Sequence, residues 1–405
     1  LARQRAARRA GRCTDRLAPA LTVRAPRRLT ALVGALVFLD LVLWFAVAPL
    51  LPGWEHSLHL SKAESGIVVG AYSAAVLVAS VPAGSLADRF GPRRVTIAAT
   101  LLFAVAAPLH AFVGSFAELV GLRFAAGVFS AVSWSAALAW AIGSVPPRER
   151  GRTAALINMG LPLGAIAGPL FGGPLVHLAG QKAAMAGLGA LVLLLGAAAS
   201  REPEVGAPEH EHVPLRDSIG VVVRDSWLLS AMVALIVLAI AGTTMQTLGS
   251  LHLAAKGLSD SGVGAAFTAV AIAGALTTFT ISRISDRVGR LKLVGIGTLM
   301  LAPCLAAMAL PLGTALFVTA MVACGISQSI GFTASYPLAA DGAERAGVGQ
   351  GVAMGLLSVS WGIGALVGPV LTGAVAQLVD DSSAFLLAGT LALAAALGVR
   401  WRTRV

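Results

Sequence analysis

The sequence predicts an all-α integral membrane protein with twelve transmembrane helices in two pseudo-symmetric bundles of six. Only 12% of its 405 residues are charged and 57% are hydrophobic, whereas soluble domains carry about 25% charged residues. Long apolar stretches alternate with short polar breaks, and two motifs recur roughly 200 residues apart. So little charge could not cover the surface of a soluble protein of this length, and most of the surface must therefore face lipid.

The twelve predicted spans follow from the apolar stretches, because a helix that crosses a bilayer needs about 20 apolar residues. In chain order they are 29–51, 66–87, 95–113, 117–142, 153–177, 183–199, 227–251, 262–282, 293–311, 314–340, 349–375 and 384–399. The sixth span is short, whereas the fourth, fifth, tenth and eleventh are long enough to tilt.

Polar segments divide these spans into two domains. Residues 1–28 form a basic tail, which we expect to be cytoplasmic and disordered. Residues 29–199 form the N-terminal bundle and residues 227–400 the C-terminal bundle, with a cytoplasmic linker at 200–226 and a cytoplasmic end at 401–405. His210 and His212 in the linker could bind a metal adventitiously, but the polar context favours a solvated linker, and no metal site is predicted.

The distribution of lysine and arginine predicts the orientation. With both termini inside, 26 of the 30 basic residues fall in interior segments, three fall in exterior loops, and Arg123 lies within a span. This asymmetry predicts a multi-pass protein of the inner or plasma membrane with both termini cytoplasmic. The net charge of +11 does not indicate a nucleic-acid partner, because the basic residues lie in short turns and do not line one groove.

The first repeated motif begins at the end of the second and eighth predicted spans and continues into the turn that follows each of them. Its first copy holds Gly84, Asp88, Arg89, Gly91, Arg93 and Arg94, and its second holds Ser282, Asp286, Arg287, Gly289 and Arg290. Asp88 could accept hydrogen bonds from free N–H groups at a neighbouring helix start, which would lock one conformation. A duplicated membrane domain with a short charged turn in each half is typical of a secondary transporter, in which substrate moves between two related bundles. We therefore predict that both turns gate the cytoplasmic side; the alternative is an ordinary turn with positive charge inside.

The second repeated motif is a stripe of small residues. It holds Gly160, Gly164, Gly168, Pro169 and Gly172 in the fifth span, and Ser360, Gly364, Gly368, Pro369 and Thr372 in the eleventh. Small residues four positions apart let two membrane helices approach backbone to backbone, and proline bends a helix. Tight packing explains part of the pattern; whether the stripe also sets the direction of transport does not follow from packing.

Asp40 lies within the first span and is the strongest candidate for a functional side chain. A charged carboxyl facing lipid there would be costly, so Asp40 must face the interior of the bundle. Such a carboxyl could be neutralised by a proton or by an organic cation, but not by both at once. This mutual exclusion is the minimal requirement for coupling the movement of a proton to the exchange of an organic cation. The alternative is a carboxyl permanently paired with Arg123 for structural reasons.

Arg123, in the fourth span, stays charged at any relevant pH and needs a carboxylate, a carbonyl or water nearby. It could tune Asp40 or Glu118, or hold a water molecule that relays protons. Further candidates for the substrate pocket are polar or aromatic residues within spans, because aromatic faces attract organic cations and large apolar pockets tolerate many ligands. These are Trp44, Asn158, Gln246, Gln328 and Tyr336.

These motifs resemble those of the major facilitator superfamily over essentially all of residues 29–400. The Gly84–Arg94 segment is similar to its signature loop, with Pro92 in place of the usual base, and Arg123 with Gly127 is similar to its fourth-span motif. The glycines around Pro169 resemble a motif of drug–proton antiporters, and Asp40 followed by Pro49 resembles the first span of multidrug and vesicular-amine antiporters. The resemblance implies proton-driven export of amphipathic, often cationic compounds, and we expect the protein to be a monomer.

Three alternatives compete with such an antiporter. A proton-coupled symporter importing a small metabolite has the same architecture, and a membrane sensor or assembly factor could retain the fold without transport. A membrane enzyme would need converging nucleophiles, bases or metal ligands, and the spans contain no such cluster in the sequence. No nucleotide-binding Gly-x-x-x-x-Gly-Lys-Ser/Thr loop is present in the sequence. We therefore expect no cofactor, with the proton gradient as the energy source.

Overall fold

The computed structural model describes residues 27–204 and 225–402. Within these ranges, twelve helices are long and apolar enough to cross a membrane, which confirms the predicted fold class. The predicted disorder of the basic tail, the two linker histidines and the last three residues of the chain lie outside the described residues.

The twelve spanning helices are named α1–α12 in chain order. Their bounds are α1 Arg27–Leu58, α2 Lys62–Phe90, α3 Pro92–Leu109, α4 Phe116–Gly143, α5 Arg150–Ala179, α6 Gln181–Ala199, α7 Ser226–Ala255, α8 Asp260–Val288, α9 Arg290–Met308, α10 Thr314–Ala346, α11 Gln350–Leu378 and α12 Asp381–Arg402. Helices α5 and α7 each contain one wide π-helical turn, at Phe171–Leu175 and Met245–Gly249 respectively.

Helix α1 is longer than the sequence predicted. The predicted end at residue 51 is wrong, because the helix continues through Pro49 and Pro52 to Leu58. Proline removes a backbone hydrogen bond within a helix, but Pro49, Leu51 and Pro52 are buried against neighbouring helices. Packing in a membrane protein therefore keeps helical a segment that an isolated chain would end earlier.

The two halves repeat each other in local detail. Helices α2 and α8 are both 29 residues long. Each begins after a serine, Ser61 or Ser259, whose hydroxyl accepts a backbone N–H of the first turn. Each ends at a glycine with positive φ, 86° at Gly91 and 96° at Gly289, where a side chain would be strained. The sequence repeat thus corresponds to the same helix with the same start and end.

The two halves are closed against each other at one end of the molecule. We name the end that carries the Gly91 and Gly289 turns the basic end, and the end that carries the α1–α2 and α11–α12 turns the opposite end. Near the opposite end, Gly66 and Gly70 of α2 pack against Pro369 and Val370 of α11. On the same two helices nearer the basic end, Gly84 and Gly355 have open space where a Cβ would stand.

A second contact between the halves joins α5 to α8. A Cβ placed on Gly173 would lie 2.6 Å from the carbonyl oxygen of Asp260 and 3.0 Å from the Cα of Gly264. These residues also lie near the opposite end, and Gly173 is part of the π-helical turn of α5. The helices that join the halves therefore meet through small residues, which permit close backbone approach.

Candidate functional site

Asp40 of α1 is held by two hydroxyl groups from different helices. The Tyr72 hydroxyl of α2 donates to Oδ1 at 2.9 Å, and the Ser130 hydroxyl of α4 donates to Oδ2 at 2.7 Å. Ser130 is buried and Asp40 is partly buried. As the sequence predicts, the carboxyl lies inside the bundle, where each of its oxygen atoms receives one hydrogen bond. Hydroxyl groups can also rotate to accept, so the same partners can serve a protonated or an ionised carboxyl.

Arg123 of α4 is completely buried. Among the described residues, none of its three guanidinium nitrogens has a hydrogen-bond partner. Its charge lies over two aromatic rings instead, at 4.9 Å from the centroid of Tyr72 and 5.5 Å from that of Trp44. Cation–π contacts of this kind are worth about 2 kcal/mol or more when desolvated.

Tyr72 therefore connects Asp40 and Arg123 without a direct ion pair. Its hydroxyl group donates to the carboxylate, and its ring faces the guanidinium. The ion pairs of the described residues do not include one between Asp40 and Arg123. The structure thus differs from the alternative of a permanent salt bridge, because an aromatic side chain links the two charges. We name Asp40, Tyr72, Ser130, Arg123 and Trp44 the Asp40 cluster.

Two close helix contacts position the Asp40 cluster. Gly127 lets α4 approach α2, since a Cβ there would lie 2.8 Å from the Cβ of Ala75 and would also overlap the backbone of Tyr72. The glycine stripe of α5 lies along α1: a Cβ at Gly164 would stand 2.6 Å from the Cβ of Leu41. These glycines fix the position of the backbone that carries Asp40, because their small size lets the helices approach closely.

The other stripe residues make equivalent contacts. A Cβ on Gly160, Gly168 or Gly172 would meet α1 at Phe38, at Phe45 or at Pro49, respectively. In the second half, Gly364 and Gly368 of α11 pack in the same way against α7, at Ala239 and Thr243. Both copies of the motif hold the fifth helix of a half against its first helix. Their link to antiport remains a prediction from resemblance.

The Asp40 cluster borders the interface between the halves. Trp44 lies 4.7 Å from Tyr72 and 5.9 Å from Trp361 of α11, measured between ring centroids. The Gln246 side chain of α7 donates to the carbonyl oxygen of Trp44 at 3.0 Å. Of the predicted site residues, Asp40, Arg123, Trp44 and Gln246 are therefore brought together.

The remaining predicted pocket residues lie apart from this cluster. Gln328 of α10 donates to the carbonyl oxygen of Leu238 within the second half. Tyr336 packs on Phe332, 5.3 Å away between ring centroids. Asn158 is exposed at the end of the first helical segment of α5. A role for these three residues in binding substrate remains a prediction.

Sequence reasoning missed Tyr72 and Ser130. Tyr72 is one of only two tyrosines in the chain, and its position within an apolar span was a usable signal. Ser130 follows Arg123 by seven residues, close to two helical turns, so the two side chains share a face. The contact of Asp40 with both helices depends on how α1, α2 and α4 pack, which no local pattern contains.

The Asp–Arg turns lie at the basic end, where each contacts its own half. In the first copy, Asp88 and Arg89 are exposed, Arg93 donates to the carbonyl oxygen of Ser200, and Arg94 lies 3.7 Å from Glu204. In the second copy, Arg290 pairs with Asp286 at 2.8 Å and with Asp341 of α10 at 2.6 Å. A gating role for Gly84, Asp88, Arg287, Gly289 and the other turn residues remains a prediction.

An ion pair at the opposite end joins the two halves. Lys62 at the start of α2 donates to Asp381 at the start of α12, with 2.6 Å between Nζ and Oδ1. The backbone N–H of Lys62 also donates to the side chain of Gln377 at 3.1 Å. His252 Nδ1 of α7 lies 3.9 Å from the other Asp381 oxygen. The two contacts of Lys62 reinforce the closure made by α2 and α11, whereas the contact of His252 lies within the second half.

The part of the chain that the structure describes holds no group of three or more His, Cys, Asp or Glu side chains that could bind a metal. The Asp40 cluster offers the carboxyl group of Asp40 as a proton acceptor, the hydroxyl groups of Tyr72 and Ser130, and aromatic rings. The arrangement suits the binding of a proton or an organic cation.

Comparison with known proteins identifies relatives over most of the chain. The sequence profile described as Major Facilitator Superfamily matches residues 33–353 and 243–405. An uncharacterized MFS-type transporter of Enterobacter sp. (strain 638) is 28% identical over 359 residues, which cover 87% of this chain and 91% of that protein.

Solved structures of transporters share the fold at low sequence identity. A bacterial homolog of the human lysosomal transporter Spinster, in an inward-facing and occupied conformation, has a TM-score of 0.80 at 15% identity, covering 93% of this chain and 96% of that one. The nucleoside transporter NupG has a TM-score of 0.76 at 14% identity, covering 93% of this chain and 99% of that one.

Proposed function

The chain belongs to the major facilitator superfamily, and on that basis we propose that it is a proton-coupled antiporter exporting amphipathic or cationic small molecules. The observation that carries the proposal is Asp40, an acidic residue deep in a spanning helix whose carboxyl is held by Tyr72 and Ser130. Acidic residues inside membrane spans are rare and commonly serve proton or cation pathways. Trp361 of α11, which packs on Trp44 and is only partly buried, offers an aromatic face to a cation near Asp40.

Coupling follows from competition at one carboxyl. A proton on Asp40 removes the negative charge that would hold a cationic substrate, and a bound substrate disfavours protonation. One carboxyl is consistent with one proton per cycle. Alternating access requires the two halves to rock about the site, and the Asp40 cluster borders the second half through Trp361 and Gln246.

The basic end supports an orientation toward the cytoplasm, since basic loops are retained there. The structure is closed at the opposite end through Lys62 and Asp381, which suits a state open to the cytoplasm. We place the protein in the inner or plasma membrane as a monomer, with lipid, substrate and protons as its partners and the proton gradient as its energy source.

The test uses purified protein in liposomes that contain a pH-sensitive dye. A proton gradient is imposed and lipophilic cations are added to the wild type, to Asp40→Asn and to Glu118→Gln. The last variant is the matched control, because Glu118 caps its own helix turn by accepting the Gly114 N–H at 2.8 Å.

We expect cations to trigger proton flux in the wild type and in Glu118→Gln, and to trigger none in Asp40→Asn. Proton flux that persists in Asp40→Asn would remove Asp40 from coupling. The absence of proton flux with every cation would favour a metabolite symporter or a relative that does not transport.

A further inference from the structure

A small cavity lies against Asp40 on the side away from the second half of the molecule. Its volume is about 20 Å³, and every residue that lines it belongs to α1, α3, α4 or α6. Its lining includes the carboxyl group of Asp40, the hydroxyl groups of Ser130, Ser133 and Thr100, and the indole of Trp134. We name this space the bundle cavity.

The bundle cavity has the size and polarity of a water site. A buried water needs about 10–15 Å³ of probe-occupied volume and two to four polar partners. Ser130 donates to Asp40 at 2.7 Å, and the hydroxyl oxygens of Thr100 and Ser133 lie 3.4 Å apart. Thr100 and Ser130 are buried. One carboxyl and three hydroxyl groups therefore surround a space large enough for one water molecule.

The position of the bundle cavity gives Asp40 two distinct sides. Leu36 and Val37, which precede Asp40, and Ala137, which follows Ser130 by two turns, place the cavity toward the basic end. Tyr72 binds the same carboxyl, and its ring contacts Trp44, which contacts Trp361 of the second half. The cavity therefore reaches Asp40 from inside the first half, separately from the face that borders the other half.

We propose that the bundle cavity holds a water molecule that takes the proton from Asp40, so that the proton and the substrate leave by different routes. In this step the O–H bond of the Asp40 carboxylic acid breaks, the water oxygen accepts the proton, and the water passes one proton on toward the basic end. No electrons are exchanged. Ser133 and Thr100 are positioning residues that hold the water. This inference rests on the proposed antiport function.

The experiment separates proton movement from substrate movement. Two rates are measured for each variant. The first is counterflow, the exchange of labelled for unlabelled substrate without a pH gradient. The second is transport driven by a pH gradient. The variants are Ser133→Ala and Thr100→Val, which remove hydroxyl groups, and Ala137→Val, which fills the cavity without removing a polar group. Ser133→Thr retains the hydroxyl group.

Thr96→Val is the matched control. Thr96 is one turn before Thr100 on α3 and is equally buried, but its hydroxyl group donates to the carbonyl oxygen of Pro92 at 2.7 Å. We expect gradient-driven transport to fall about tenfold in each cavity variant, because Ser133→Ala and Thr100→Val each remove a hydrogen bond to the water and Ala137→Val excludes the water itself. Counterflow should remain near the wild-type rate in all of them, and Thr96→Val and Ser133→Thr should keep both rates.

A solvent isotope effect on gradient-driven transport that grows in the cavity variants would support the water route, because proton release would then limit the rate. Equal loss of both rates would indicate a structural role and overturn the inference. Unchanged gradient-driven transport in all three cavity variants would also overturn it. Stimulation by Na⁺ in place of a proton gradient would show that the oxygen atoms bind a metal cation and not water.

Asp40→Asn distinguishes this inference from the proposed function. If that variant loses proton coupling while the cavity variants keep it, only the water route fails. If Asp40→Asn keeps coupling, the proposed function itself fails.

Discussion

Tyr72 separates the deep carboxyl of Asp40 from the deep guanidinium of Arg123. Its hydroxyl group contacts one and its ring contacts the other. A direct ion pair would hold both charges in one arrangement, whereas a hydroxyl group can donate or accept as the carboxyl changes its charge. The phenol thus links the two charged groups without the fixed geometry of an ion pair.

The two functions of Tyr72 can be separated by mutation. Tyr72→Phe removes the hydrogen bond to Asp40 and keeps the ring over Arg123, whereas Tyr72→Leu removes both. We expect Tyr72→Phe to slow gradient-driven transport about tenfold, because a hydrogen bond to a charged group is worth about 1.5–3 kcal/mol. Thermal unfolding should show Tyr72→Leu to be less stable than Tyr72→Phe by about 1–2 kcal/mol. Equal stability of the two variants would show that the ring does not stabilise Arg123.

Arg123 offers a test of function against stability. Burying a charge without hydrogen-bond partners is costly, and replacing the Arg123 guanidinium by an apolar side chain of similar length removes that cost. We expect Arg123→Met to keep or raise the unfolding temperature while transport falls by at least about tenfold. Arg290→Met is the control, because its guanidinium pairs with Asp286 and Asp341 and its loss should lower stability by about 1 kcal/mol. A large drop in the unfolding temperature of Arg123→Met would mean that the charge is structural.

At the scale of the helices, the glycine stripe of α5 decides where α1 lies. A Cβ on Gly168 would stand 2.5 Å from the Cβ of Phe45, which is closer than side chains pack. Because Asp40 and Trp44 are on the same helix, any displacement of α1 moves the Asp40 cluster. The packing of α5 and the geometry of the Asp40 cluster are therefore linked through one helix contact.

Gly168→Val should push α1 and α5 apart. We expect it to destabilise the protein by about 1–3 kcal/mol through overpacking and to reduce transport. Gly187→Val is the matched control, since Gly187 lies within α6 with no atom inside 4 Å of the position of its Cβ. Thermal unfolding and counterflow measured on both variants check the prediction. If both variants lose stability equally, the effect is one of helix propensity and not of the α1–α5 contact.

At the scale of the whole molecule, the two halves contact each other near the opposite end. The pairs α2–α11 and α5–α8 meet there through small residues, and the ion pair between Lys62 and Asp381 spans the same boundary. Alternating access requires these contacts to separate in the other state. Both members of the ion pair are about a third exposed, at 36% and 26% of the side chain, so its contribution is small and reversible.

Breaking this ion pair should shift the conformational equilibrium. We expect Lys62→Met to increase the population that is open at the opposite end several-fold, as about 1 kcal/mol would do. Spin labels at the exposed positions Ser57 and Leu378 would report a longer distance between the halves. Lys256→Met is the control, because Lys256 donates to the carbonyl oxygen of Leu312 within its own half.

Exchange of the two charges provides a second check. Lys62→Asp combined with Asp381→Lys should restore the distance distribution of the wild type, which neither single variant does. An unchanged distribution in Lys62→Met would show that the small-residue contacts alone hold the halves closed.

The sequence by itself determined the fold class, the number of spans, the repeat and the position of Asp40. Each of these depends on hydropathy, charge or short motifs, which are local properties of the chain. Hydropathy also placed Arg123 within a predicted span. The other lysine and arginine residues of the sequence all fall outside the predicted spans. The end of α1 was missed, because the apolar stretch ends before Glu55 and His56 whereas the helix continues to Leu58.

Only the tertiary structure decided what surrounds Asp40. Tyr72, Ser130 and the bundle cavity come from helices α2, α3, α4 and α6, and their meeting depends on helix contacts distant in the chain. Tertiary packing also placed Tyr72 between Asp40 and Arg123, and it left Gln328 and Tyr336 outside the cluster. Hydropathy identifies the segments that cross the membrane. The rotation of each helix about its axis is set by how its small and large side chains fit the neighbouring helices.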